Sequence, residues 1–204
     1  RSEAYLHAGY EGNNTLFGKT VGFVGCGSNS RALQPLIEPF GVSIVGYDPW
    51  LDEADLAARG IEHVELGELF RRSHVVFVLA VPTPSNKGMI DDHLMSLLGA
   101  EDILVLGSRA HVVDFEALTA HLTAGHFKAG IDVFPQEPLP HDHPIRDTEP
   151  AVLTAHLAGA LPEALQDIGR MVLDDFRSIL AGEEPVRMQY ADERLVRSLR
   201  SREG

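Results

Sequence analysis

The sequence predicts a doubly wound α/β domain built around a parallel sheet. From Thr20 onward, short apolar runs rich in β-branched residues alternate with longer stretches in which apolar residues recur at intervals of three and four. This alternation is typical of consecutive strand–helix–strand units, whose strands pair in parallel. The first apolar run leads directly into a glycine-rich turn. With 204 residues and 44% apolar composition, the chain can bury the core that such a sheet requires.

Six short apolar runs are predicted to form the strands. They occupy residues 20–25, 42–47, 75–79, 103–107, 128–133 and 151–154. Helical periodicity predicts five intervening helices, over residues 28–38, 51–58, 66–71, 91–98 and 114–124. A longer amphipathic helix is expected over residues 162–180, because Gly182 follows as a helix stop. Residues 134–150 hold five prolines and are predicted to form a long loop of the kind that usually carries function.

The formal net charge of −13 indicates which partners the chain does not bind. A nucleic-acid-binding surface is basic, so we expect no nucleic-acid partner. The basic cluster near the C-terminus lies among acidic residues and is interpreted as a solvated helix face; it comprises Arg194, Arg197, Arg200 and Arg202. No apolar stretch reaches the roughly 18 residues of a membrane span, so no membrane contact is expected. A single cysteine, Cys26, excludes an internal disulfide, and we expect a cytoplasmic location.

The glycine-rich turn predicts a dinucleotide site. Its sequence, Gly25-Cys26-Gly27-Ser28-Asn29-Ser30, follows a buried strand and opens a helix whose first amides can bind a pyrophosphate. We therefore assign Gly25, Gly27, Ser28 and Asn29 to cofactor binding. Ser30 replaces the third glycine of the fingerprint, and such a short motif, taken alone, is equally compatible with a turn that binds nothing. Cys26 is interpreted as a small filler residue, with a reactive thiol as the alternative.

An acidic residue closes the second predicted strand. Asp48 lies about 20 residues after the glycine turn, where a carboxylate can accept hydrogen bonds from both hydroxyls of an adenosine ribose and repel a 2′-phosphate. The Asp48-Pro49 pair is also a common turn signal. Because strand, glycine turn, helix, strand and acid occur in order, we favour cofactor binding and expect NAD over NADP.

The order of motifs along the chain resembles the D-isomer-specific 2-hydroxyacid dehydrogenases. Five segments carry the resemblance: Leu16-Phe17-Gly18-Lys19-Thr20-Val21-Gly22-Phe23-Val24-Gly25, Ser85-Asn86-Lys87-Gly88-Met89-Ile90-Asp91, Ser108-Arg109, Asp132-Val133-Phe134-Pro135-Gln136-Glu137-Pro138-Leu139-Pro140, and Thr154-Ala155-His156-Leu157-Ala158-Gly159-Ala160. The resemblance extends over residues 16–184. It implies a Rossmann domain that binds NAD and acts on a small 2-hydroxy or 2-keto acid.

The resemblance assigns the catalytic set to Arg109, Glu137 and His156. Hydroxyl oxidation needs a base that takes the hydroxyl proton while the C2 hydride leaves, and imidazole titrates near neutral pH. His156 would be this base, or the acid in reduction. Glu137 would orient and tune the imidazole, and Arg109 would grip the substrate carboxylate. Taken singly, Arg109 could equally form a surface ion pair, Glu137 could be a loop residue, and His156 could be a core histidine.

The resemblance also implies further cofactor contacts. Asp132 matches a position near the nicotinamide, although an aspartate that caps a turn is the alternative. Other matched positions lie along the dinucleotide: Ala80, Val81, Gly107, Ser108 and Gly159. Ser30, Val81 and Ala110-His111 depart from the family pattern, which indicates a divergent subfamily and leaves the substrate open. His141-Asp142-His143 lacks further ligands, so we assign no metal.

The domain organisation is expected to be a lead-in over residues 1–19, a dinucleotide-binding domain over residues 20–160, and a helix with a return segment over residues 161–204. Most of the second, substrate domain of the family is expected to be absent from this chain. Two functions are compatible with this arrangement. One is the cofactor half of an oxidoreductase, expected to be a homodimer. The other is a non-catalytic NAD(H)-sensing scaffold, similar to the corepressors of the family, in which the tail from Tyr190 contacts a partner.

Overall fold

A computed structural model describes residues 15–188 of the chain. The strands are β1 (Thr20–Val24), β2 (Ser43–Tyr47), β3 (Ile61–His63), β4 (Val75–Val78), β5 (Ile103–Leu106), β6 (Lys128–Ile131) and β7 (Ala151–Leu153). They form one parallel sheet in the order β3-β2-β1-β4-β5-β6-β7. The strand order runs outward from the centre in both directions, which is the doubly wound arrangement. The predicted fold class is confirmed.

Six α-helices occur in the described part of the chain: α1 (Ser28–Ile37), α2 (Glu53–Ala57), α3 (Leu66–Arg72), α4 (Asp92–Met95), α5 (Phe115–Thr123) and α6 (Pro162–Leu180). The six predicted helices are confirmed, but α2 and α4 are shorter than predicted. Asp52 caps α2 by accepting the Asp55 amide at 2.8 Å, and Asp91 caps α4 by accepting the Leu94 amide at 2.9 Å. Such caps set where a helix begins, which apolar periodicity alone does not.

The strand β3 was not predicted. It has three residues at the edge of the sheet, and only Ile61 is buried while Glu62 and His63 are exposed. One apolar residue gives no alternation to detect, so pairing with β2 decides the conformation of this segment.

The core lies on both faces of the sheet. Alternate residues of β1 enter different apolar clusters: Val21 and Phe23 pack with α1 and α2, and Val24 packs with α3, α4 and α5. Successive side chains of a strand point to opposite faces, so a strand covered on both faces must be apolar throughout. This double coverage explains why β1 and β4 are apolar along almost their whole length.

The helix α6 is confirmed as amphipathic but lies largely outside this core. Leu165 and Phe176 are 57% and 56% exposed, and Asp175 is the one buried residue of the helix. The Asp175 carboxylate accepts the amides of residues 186, 187 and 188, which folds this segment back onto α6. Although burial raises the pKa of Asp175, these three bonds lower it more, so the net direction is downward.

Residues 1–14 and 189–204 fall outside the described range, and with them the predicted basic cluster and the tail from Tyr190. The predicted division of the chain into three segments stays a prediction. Within residues 15–188, none of the helices combines the length and apolar character needed to cross a membrane.

Candidate active site

The predicted functional side chains lie along one edge of the sheet. Gly25 follows β1, Asp48 follows β2, Asp132 follows β6, and His156 lies a short distance beyond β7. The carboxyl ends of parallel strands meet at the same edge, and the strand order reverses between β1 and β4. Open α/β sheets bind ligands at such a reversal point. The fold therefore gathers residues far apart in sequence into one candidate site.

The glycine turn is shaped for an anionic group. Gly25 has a φ of 94°, and a Cβ added there would lie 2.6 Å from the amide nitrogen of Ala80. A Cβ at Gly27 would instead meet open space. The helix α1 begins at Ser28 with no side-chain cap on its first turn, so its N-terminus faces this space. The turn thus has room for a pyrophosphate at the positive end of a helix.

Gly25→Ala is expected to lower the free energy of unfolding by at least about 2 kcal/mol, because the new Cβ meets backbone and the positive φ is strained for any other residue. Urea denaturation of the chain measures this loss. Gly27→Ala is the matched control, since its φ is −77° and its Cβ meets nothing within 4 Å. Equal stability of the two variants would contradict this account of the turn.

Asp48 lies at the mouth of the turn and is 8% exposed. One carboxylate oxygen accepts the Cys26 amide at 2.8 Å, and the other accepts the Trp50 amide at 2.9 Å. Each carboxylate oxygen has two acceptor directions, so the group can also accept ribose hydroxyls. Asp48 therefore shapes the turn as well as offering the predicted ribose contact.

A cleft of about 600 Å³ connects the glycine turn to Asp48. Seven of the predicted cofactor residues line it: Gly25, Gly27, Ser28, Asn29, Asp48, Ala80 and Val81. Trp50 and Arg31 line it as well. The combination of a helix N-terminus, an open glycine and an acid at the end of the second strand fits the pyrophosphate and adenosine of NAD.

Cys26 forms the floor of this turn. Its side chain is fully buried, and burial together with the nearby charge of Asp48 raises the pKa of the thiol to about 12. A thiol with so high a pKa is protonated at neutral pH and is a poor nucleophile. The filler interpretation fits this structure, and the reactive-thiol alternative does not.

Asp132 binds a turn of the protein itself. Its carboxylate accepts the Thr154 hydroxyl, the Leu157 amide at 2.9 Å and the Ala158 amide at 3.1 Å. Burial raises the pKa of Asp132, but these three hydrogen bonds outweigh it and lower the pKa overall. The carboxylate thereby holds the segment that carries His156. The predicted nicotinamide contact of Asp132 stays a prediction.

His156 and Glu137 form a hydrogen-bonded pair. His156 Nδ1 lies 2.7 Å from Glu137 Oε2, and both side chains are 39% exposed. Glu137 Oε1 accepts the Phe134 amide at 3.0 Å. The hydrogen bond from His156, followed by the one from Phe134, lowers the pKa of Glu137. An ionised carboxylate only accepts, so Nδ1 carries the hydrogen and Nε2 is the nitrogen that can exchange a proton.

Arg109 is exposed, and its charge contributes to lowering the pKa of Glu137. Its Nη1 donates to the Ser108 carbonyl at 2.7 Å. Arg109 also lines a second, wider cleft of about 1230 Å³, together with Lys87, His111 and Phe134. The predicted catalytic set is thus brought to one region, with Arg109 facing the wider cleft.

The remaining predicted cofactor residues do not line the narrower cleft. Gly107 and Gly159 are exposed, and the Ser108 hydroxyl is buried with no hydrogen-bond partner in the described part of the chain. Arg31, which lines the cleft, and Arg59, which contacts the turn, were not predicted, whereas Trp50 lines the cleft two residues after the predicted ribose-binding Asp48. The nearness of Arg31 to the glycine motif was a signal for it, whereas the sequence offered none for Arg59.

The pKa of Glu137 is expected to lie below the ordinary value of about 4.3, because the hydrogen bond from His156 stabilises the carboxylate. A lowered folded pKa means that the pair stabilises the fold above about pH 4.3 and loses this contribution as the pH falls through the folded value. NMR titration of the Glu137 carboxyl carbon measures the midpoint. His156→Asn is expected to raise it, and an unchanged midpoint in that variant would contradict the assigned cause.

The chain is similar in sequence to one family of dehydrogenases. Residues 3–158 match the family model described as "D-isomer specific 2-hydroxyacid dehydrogenase, NAD binding domain". D-3-phosphoglycerate dehydrogenase of Mycobacterium tuberculosis is 35% identical over 184 residues, which cover 90% of this chain and 34% of the relative. Glyoxylate reductase of Korarchaeum cryptofilum is 34% identical over 83% of this chain and 52% of its own length.

A solved structure agrees with these sequences. The crystal structure of a phosphoglycerate oxidoreductase from Rhizobium etli has a TM-score of 0.78 and 34% identity, covering 88% of this chain and 57% of that one. The chain therefore spans about a third to just over half of the length of these relatives.

Fold and site together define a Rossmann domain that binds a dinucleotide. The matches with known proteins identify the family to which this domain belongs. The chain belongs to the D-isomer-specific 2-hydroxyacid dehydrogenase family, of which it carries the NAD-binding domain, and NAD is its cofactor.

Proposed function

We propose that this chain is the cofactor-binding half of an NAD-dependent enzyme that interconverts a D-2-hydroxy acid and its 2-keto acid, and that His156 is its acid–base group. The observation that carries the proposal is the 2.7 Å pair of His156 and Glu137 on a turn held by Asp132. This pair lies at the same sheet edge as the dinucleotide cleft. A carboxylate–imidazole pair at that edge matches the needs of alcohol oxidation.

His156 handles the proton. During oxidation its Nε2 accepts the hydroxyl proton of the substrate, and during reduction the same nitrogen returns a proton to the carbonyl oxygen. Glu137 accepts the hydrogen bond donated by Nδ1, which fixes the tautomer and stabilises the imidazolium. Bound NAD supplies the hydride chemistry at C2 of the substrate.

Arg109 binds the anionic part of the substrate. A guanidinium offers parallel N–H donors that match a carboxylate, and a donor near the carbonyl oxygen stabilises the negative charge that develops there. In a chain with a net charge of −13, such a local cation is what allows an acid to bind. The predicted homodimer is retained as part of this proposal.

Two measurements test the proposal. Trp50 lines the cleft and is 47% exposed, so titration of the chain with NADH should produce saturable energy transfer from the indole to the reduced nicotinamide. Turnover is measured on the natural protein, with NADH and a panel of 2-keto acids: glyoxylate, hydroxypyruvate, 3-phosphohydroxypyruvate and 3-sulfopyruvate. We expect NADH oxidation with at least one of them.

The two readouts separate the alternatives. Energy transfer without turnover of any 2-keto acid would overturn the enzymatic proposal and favour the NAD(H)-sensing scaffold. Absence of transfer in a folded sample would contradict the assigned cofactor cleft. Arg109→Lys sharpens the test, because it retains the charge and loses the bidentate fork, and should raise KM for the keto acid more than it alters NADH affinity.

A further inference from the structure

Ser30 stands where the fingerprint has its third glycine, and its environment is polar. The residue is fully buried. Its hydroxyl donates to the Gly27 carbonyl at 2.8 Å and accepts from Nη2 of Arg59 at 3.1 Å. A glycine at this position would leave both partners without that hydroxyl. The serine is therefore integrated into a hydrogen-bond network rather than tolerated as a small residue.

Arg59 reaches the glycine turn from a separate part of the chain, between α2 and β3. Its Nη1 donates to the Cys26 carbonyl, and its own carbonyl accepts the side-chain amide of Gln34, on α1, at 2.6 Å. The Cys26 amide is held by Asp48 at 2.8 Å. Both backbone polar groups of Cys26 are thus fixed by charged side chains, one acidic and one basic.

We propose that Arg59 is a positioning residue for the pyrophosphate-binding turn, and that its two hydrogen bonds, to Cys26 and Ser30, do the work that close packing of the third glycine does in the fingerprint. The inference rests on the proposed NAD-binding function and deepens it. Because it fixes the Cys26 carbonyl and the Ser30 hydroxyl, Arg59 orients Gly27 and the start of α1 toward the cofactor.

The physical reason is the geometry of the guanidinium. Its planar fork contacts the carbonyl of Cys26 and the hydroxyl of Ser30 at the same time, which a lysine ammonium cannot reproduce with one flexible point charge. Hydrogen bonds from a charged donor are roughly twice as strong as neutral ones. Loss of the fork leaves a buried carbonyl and a buried hydroxyl without this donor, and the turn relaxes away from the shape that binds phosphate.

Arg59→Met is the primary test, with Trp50 energy transfer reporting NADH affinity. We expect the Kd of NADH to rise at least about 10-fold. Binding of adenosine, which has no phosphate, measured by calorimetry, should change by less than about threefold, because only the phosphate-binding part of the site is displaced. Arg72→Met is the matched control: Arg72 pairs with Glu62 and Glu68 on the surface, and its loss should leave both affinities unchanged.

Arg59→Lys separates positioning from charge. If position is what matters, the lysine variant stays within about threefold of Arg59→Met. Restoration of wild-type NADH affinity by lysine would overturn the proposal, since the charge alone would then suffice. Equal weakening of adenosine and NADH in Arg59→Met would also overturn it, because that is the pattern of general loss of structure.

Ser30→Gly is a second test of the contact between Arg59 and Ser30, and it replaces Arg59→Met if that variant does not fold. Alone it should raise the Kd of NADH about threefold, and in the Arg59→Lys background it should add nothing, because residues that act as a unit are not additive. Additive effects would overturn the pairing. A wild-type chain that binds no NADH would refute the proposed function itself, whereas a wild-type chain that binds NADH while Arg59→Met binds equally well refutes only this inference.

Discussion

His156→Asn is expected to reduce kcat for the 2-keto acid by about 10²–10⁴-fold, the usual contribution of a positioned acid–base group. Asparagine is the suitable replacement because His156 has a φ of 56°, and asparagine adopts positive φ more readily than most residues. The turn held by Asp132 should therefore persist. Steady-state kinetics on the natural protein measure the loss, and NADH titration shows whether the cofactor site is intact.

His93→Asn is the control for this result, since it makes the same chemical change on an exposed residue of α4. NADH affinity within about twofold of wild type, combined with lost turnover, assigns His156 to the chemistry. A His156→Asn enzyme that keeps wild-type kcat would remove the imidazole from the mechanism and leave Glu137 without its proposed role.

Asp48→Asn is expected to weaken NADH binding by about 10–100-fold, because hydrogen bonds from two ribose hydroxyls to a carboxylate lose their charge assistance. NADPH should weaken less or bind better, since the repulsion of a 2′-phosphate is removed. The Kd ratio of the two cofactors, measured through Trp50, is the decisive quantity. Asparagine keeps one acceptor, which can serve the buried Cys26 amide, and loses the hydrogen bond to the amide of the exposed Trp50.

Asp55→Asn provides the matched charge control, because it neutralises an exposed acid of α2 without touching the cleft. An unchanged NADPH-to-NADH ratio in Asp48→Asn would contradict the ribose assignment. Asp48 would then serve only to hold the backbone of Cys26 and Trp50.

The doubly wound fold was predictable because its central strands, β1 and β4, are covered on both faces and are therefore almost entirely apolar. The edge strand β3 was not, since Ile61 alone is buried in it. Helix ends were predicted less well at α2 and α4, where Asp52 and Asp91 set the first residue by side-chain capping. Local apolar periodicity does not contain that information.

For the site, glycines and an acid at fixed spacing were enough to predict the dinucleotide cleft. The role of Asp132 in holding the His156 turn, and the contact of Arg59 with Ser30, were not predictable. Both depend on tertiary contacts between residues more than twenty positions apart, and no local pattern encodes which side chain meets which turn. The sequence could indicate that Ser30 departs from the fingerprint, but not what compensates for the change.

Because Cys26 is buried, the reactivity of its thiol can be used to measure local opening of the glycine turn. It is the single cysteine in the sequence, its side chain is fully buried, and its pKa is raised to about 12. An alkylating reagent can therefore modify the thiol only when the packing around Cys26 opens. Where this local opening needs less free energy than global unfolding, the rate of thiol modification reports the opening free energy of the segment around Cys26.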